Sequence, residues 1–143
     1  MRTKTISMLF AALLLMSAAC RRESSAGEKV IKSVKSGATT ISLSSASGEI
    51  KSGENALTLS FTNASGADAP GSPVDIPAAS LKFHMPAMGS MAEMNDVAEL
   101  TTTETPGKFR ALVNIEVAGS WEAMVSFQGP RGTEQATMNV TAK

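Results

Sequence analysis

Tyrosine is absent from this 143-residue chain, histidine, cysteine and tryptophan occur once each, and five phenylalanines complete the aromatic set. Each shortage excludes something. With Cys20 as the only cysteine, neither an intrachain disulfide nor a redox dithiol can form. With His84 as the only histidine and the acidic residues scattered, no acid–base or nucleophile constellation can be assembled, so an enzyme is not expected. An excess of one charge is also missing: 13 Lys+Arg face 13 Asp+Glu, with no basic block or aromatic-basic stripe. Nucleic acid is therefore not an expected partner. Beyond Met16 no apolar run is long enough to span a bilayer.

What is present begins with an export signal. Met1-Arg2-Thr3-Lys4 is basic, Ile6 to Met16 is apolar, and small residues follow up to Cys20. Ser17-Ala18-Ala19-Cys20 resembles a bacterial lipobox, with Ser17 where Leu, Val or Ile is preferred; Ser17 and Ala19 also fit ordinary signal-peptidase cleavage. A free thiol would be out of place in an oxidising compartment, and acylation of Cys20 accounts for it. Residues 1–19 are thus expected to be a lipoprotein signal. The mature chain is expected to be membrane-anchored through Cys20, facing the periplasm or the cell exterior. Losing Arg2 and Lys4 leaves 11 Lys+Arg against 13 Asp+Glu.

Residues 20–36 are polar and rich in Ser and Lys, which predicts a flexible tether, with Val30, Ile31 and Val34 offering at most a short strand or helical turn. Residues 37–143 predict one domain, large enough for a single core. Its pattern has period two. Ile41 and Leu43 alternate with Thr40, Ser42 and Ser44, and Leu57, Leu59 and Phe61 alternate with Thr58, Ser60 and Thr62. Strand-like runs follow at 80–85, 97–103, 109–117, 120–127 and 133–140, separated by turn signals such as Pro106-Gly107 and Gly129-Pro130. About seven short strands at this spacing predict an all-β, antiparallel, immunoglobulin-like sandwich. Trp121, Ala123, Val125 and Phe127 share one predicted core face, and Ala136, Met138 and Val140 another. A monomer is expected.

Methionine is concentrated where the rest is sparse. Six of the nine methionines follow Cys20, and Met85, Met88, Met91 and Met94 fall at three-residue steps directly after His84. Thioethers with an imidazole form a soft ligand set, which selects Cu(I) over Mg, Ca or Mn. A thioether is neutral, so protons do not compete for it, and its hazard is oxidation to sulfoxide. His84 as a ligand would need an acceptor for its other ring nitrogen. Three readings stay open for the run: a metal site, gap-filling in a core or loop, and a Met-rich surface for a protein partner. Pro86 and Gly89-Ser90 argue against a continuous helix. The three-residue step predicts instead an extended loop of polyproline-like twist, with successive sulfurs on one side. Trp121 is predicted in the core, and Met124 on the opposite face of its strand.

Three elements carry a resemblance: Met85-Pro86-Ala87-Met88, then Pro106-Gly107-Lys108-Phe109, then Gly119-Ser120-Trp121 leading a strand. In this order, over roughly residues 50–143, the chain resembles the YtkA-like domain family, which is related to the FixH-like proteins. The resemblance implies a small exported or membrane-anchored β-sandwich. It implies a partner among copper-efflux or oxidase-assembly proteins, and it points to Met85, Met88 and Met91 as site residues. Family members often carry a further histidine in the Met loop, where this chain has Gly89-Ser90. The resulting expectation is an envelope lipoprotein that binds Cu(I), or Ag(I), through His84, Met85, Met88, Met91 and Met94, as a copper carrier or buffer. The alternative is a non-metal module that docks on an efflux or oxidase-assembly complex.

Overall fold

The computed structural model describes residues 27–64 and 71–143. The expected signal 1–19, Cys20 and the tether up to residue 26 lie outside the described residues. The nine strands described are β1 (Lys29–Ser36), β2 (Thr39–Ser45), β3 (Gly53–Asn63), β4 (Ala79–Met85), β5 (Met94–Val97), β6 (Glu99–Thr102), β7 (Lys108–Ile115), β8 (Gly119–Gly129) and β9 (Gly132–Ala142). They form two antiparallel sheets, ordered β1-β2-β3-β7-β6 and β5-β4-β8-β9. With β1 set aside, these orders are those of strands A-B-E-D and C′-C-F-G of an immunoglobulin-type sandwich.

Alternation decides which side chains meet between the sheets. On β7, Phe109, Ala111, Val113 and Ile115 are buried while Arg110, Leu112 and Asn114 are exposed. On β8, Trp121, Ala123, Val125 and Phe127 are each at most 1% exposed, so the predicted core face is the observed one. Met138 and Val140 of β9 are buried beside them, and Ala136 packs against the cluster. Phe61 of β3 joins the layers: its ring lies 5.9 Å from Phe109 in its own sheet and 5.0 Å from Phe127 in the other. Both separations are favourable for aromatic pairs.

Two boundaries differ from the sequence reading. Part of the expected tether, Lys29–Ser36, is β1, paired along β2 from Lys29↔Ser45 to Ser36↔Thr39 with a bulge at Ile31. Its side chains are mostly exposed, so the apolar alternation that would announce a strand is missing; backbone pairing with β2 and contacts of Ile31 and Val34 with the core hold it. Glu28 pins its start: the Thr58 hydroxyl donates to Oε1 at 2.6 Å and Lys108 Nζ lies 3.2 Å from Oε2. The run 97–103, predicted as one strand, is divided between β5 and β6. The chain changes sheet at Ala98, whose amide donates to the Leu81 carbonyl at 2.9 Å. The count is accordingly nine strands where about seven were expected.

Candidate functional site: a methionine hairpin

The strand β4 delivers the histidine and the first methionine to opposite sides of a sheet. Leu81, Phe83 and Met85 are at most 2% exposed and face the core, whereas Lys82 and His84 face outward. Pro86, which has no amide proton, follows the strand. The chain then closes a two-residue turn: Met88 and Met91 exchange both backbone hydrogen bonds, at 3.1 and 2.9 Å, around Gly89-Ser90. Gly89 has φ of 58° and Ser90 is not in the left-handed region, the pattern of a type II′ turn, whose first central position suits glycine. The loop is thus a β-hairpin, and the polyproline-like geometry predicted for it is not what forms.

The hairpin rearranges the methionines. One register runs through Lys82↔Val97, Phe83↔Asp96, His84↔Asn95 and Met85↔Met94, and the bridge Met88↔Met91 continues it. Four residues at three-residue steps therefore become two cross-strand pairs. Met85 is 2% exposed, and its methyl lies 3.0 Å from where a Cβ on Gly119 would stand. Gly119, at φ of 143°, leaves room for it. Met94 is half-buried against the core. At the tip, Met88 and Met91 are 54% and 43% exposed.

His84 stands apart from the inner pair, on the outward face. Its Nδ1 is 3.1 Å from Oδ1 of Asn95, its partner across the ladder. An amide oxygen can only accept, so Nδ1–H is the donor in this contact, and in the neutral imidazole the Nε2 lone pair is then the free one. Asn95 is thus the acceptor that a ligating His84 would need. On its other side His84 pairs with Glu122. Met124, half-buried between Lys82 and Thr137, lies on this same outward face, diagonal to His84. Trp121 is in the core, and its indole Nε1–H donates to the Val117 carbonyl at 3.1 Å.

Sequence reasoning missed Asp96. It faces Phe83 across the ladder, hence inward, and its Oδ2 is buried with no hydrogen-bond partner among the described residues. The signal was its position two residues after Met94, on the same face of one strand. Among the described residues no group of three or more His, Cys, Asp or Glu is placed to hold a metal. The soft donors of the hairpin are the ligand set on offer there.

Residues 33–126 match the model of the YtkA-like family, a span that runs from within β1 into β8 and includes the whole hairpin. No curated protein and no solved structure matches the chain.

Proposed function

We propose that this chain, which belongs to the YtkA-like family, is an exported, lipid-anchored carrier or buffer of Cu(I), or of the chemically similar Ag(I), with the ion as its cargo. The observation that carries the proposal is the pairing of four thioethers on one hairpin, two of them exposed at its tip. The exposed Met88 and Met91 are accessible for capture and release. The buried Met85 and half-buried Met94 are the inner pair of sulfurs, which hold the captured ion at the base of the hairpin. Soft neutral sulfur favours a soft univalent ion over Zn(II), Mg(II) or Ca(II). His84, with Nδ1 engaged by Asn95, offers Nε2 as a borderline donor on the outward face. The role is binding and delivery, without bond-making chemistry, to an efflux or oxidase-assembly partner in the envelope.

The test is a Cu(I) competition titration of the full chain carrying Cys20→Ser, which removes the thiol as a competing ligand. The parent is expected to take up one Cu(I), and Met88→Leu/Met91→Leu/Met94→Leu to lose it. Leu preserves bulk and apolarity, so the fold should be retained. A triple variant that binds as tightly as the parent would refute the hairpin as the site. For the anchor, Cys20→Ala is expected to shift the protein from the membrane fraction to the soluble fraction, and membrane retention would count against acylation.

A further inference from the structure

We propose that Asp96 supplies the counter-charge for a univalent cation held at the base of the hairpin. The inference rests on the assignment of the hairpin to Cu(I) or Ag(I), and it adds a charged residue to a donor set that is otherwise neutral.

Asp96 is unusual for its place. It is opposite Phe83, which is fully buried, and burial alternates along β5 so that Met94 and Asp96 turn inward while Asn95 and Val97 turn outward. The residue is half-buried, and its Oδ2 is buried and meets no donor among the described residues. A carboxylate oxygen in that condition opposes folding, because water has been removed and nothing replaces it. An apolar residue would fill the same position without that penalty. Orphaned polar atoms of this kind call for a ligand, ion or water to complete them. The neighbouring cationic side chains do not point there: Lys82 of β4 and Arg110 of β7 occupy outward positions.

The thioethers have the opposite deficit. Met85 and Met94 are paired on the inner face and carry no charge, so an ion taken up by them would bring an uncompensated positive charge into a weakly polar space. Side chains two residues apart on one strand are separated by roughly 7 Å. At that distance an inward carboxylate and a univalent cation attract appreciably, while the carboxylate need not enter the coordination shell. One negative charge neutralises one univalent cation in that space, while the preference for a soft ion comes from the sulfurs.

Asp96→Asn, in the full chain with Cys20→Ser, keeps the shape and removes the charge. Without metal its melting temperature is expected to equal or exceed the parent's, since the orphan charge is gone. Its Cu(I) affinity, by competition titration, is expected to fall on the order of tenfold. Its stabilisation by added Ag(I) is expected to shrink in parallel. Because Oδ2 is withdrawn from solvent, the charge is incompletely screened, and part of the loss should persist at high salt. Asp96→Glu should restore much of the affinity, and Glu93→Gln, an exposed carboxylate beside the same loop, should change nothing. Should Asp96→Asn fail to fold, Asp96→Ser carries the same expectations. If the parent binds Cu(I) and the neutral variants bind as tightly, the counter-charge is overturned while the hairpin site stands. If the parent binds neither Cu(I) nor Ag(I), the site itself fails and the counter-charge with it.

Discussion

Met85 and Met88 are three residues apart in sequence and belong to different environments. Met85 is buried under Gly119 and beside the core, so Met85→Ala should leave a cavity and cost roughly 2–5 kcal/mol by urea denaturation. Met88 is exposed at the hairpin tip, and Met88→Ala should stay within about 0.5 kcal/mol. Equal losses at the two positions would contradict the placement described above. The cluster of four sulfurs was legible in the sequence because clustering is a property of composition. Their division into an inner pair and a tip pair was not, because it depends on a turn that Gly89 permits and on which face of β4 meets the core. Asn95 illustrates the same gap. Nothing in its sequence position marks it as the acceptor for His84 eleven residues away, and only the register of the hairpin brings Oδ1 to Nδ1.

Among the elements, β1 departs most from expectation. Its composition is that of a tether, and most of its side chains remain in solvent. The strand exists because β2 offers it a free edge and because Ile31 and Val34 reach the core from one side. A chain beginning at Gly37 would expose β2 as an edge strand, which invites pairing between molecules. Residues 37–143 are therefore expected to unfold at lower urea concentration than residues 27–143, and to self-associate in gel filtration where the longer chain does not. Identical behaviour of the two would mean that β1 contributes nothing. Strands β2, β3, β4, β7, β8 and β9 were readable from alternation, since their inward residues are mostly apolar and their outward ones mostly polar. The split between β5 and β6 was not readable, because Ala98 changes sheet without glycine, proline or any other local signal.

For the molecule as a whole, acid stability should depend on the anchor of β1. Burial opposes the charge on Glu28, but the Thr58 hydroxyl and the Lys108 ammonium outweigh it and hold the carboxyl below its ordinary value of 4.5. Its contribution is thus complete above pH 4.5 and is lost as pH falls through the lower folded-state value. The Glu28 side chain is 34% exposed, so the effect should amount to less than about 1 kcal/mol. Urea midpoints measured downward from pH 6 should show a smaller acid-side drop in Glu28→Gln than in the parent, and parallel curves would exclude the anchor. The sandwich itself, its core strand through Trp121 and the soft-donor chemistry of the methionine run were determined by the sequence alone. Period-two alternation and side-chain type are local properties that survive without coordinates. Tertiary structure decided the rest: that β1 joins the sheet, that the methionines pair 85 with 94 and 88 with 91, that His84 turns away from Met85, and that Asp96 turns inward beside Met94. Each of these is a matter of register and of which face meets the core, and both are set by contacts between segments distant in the chain.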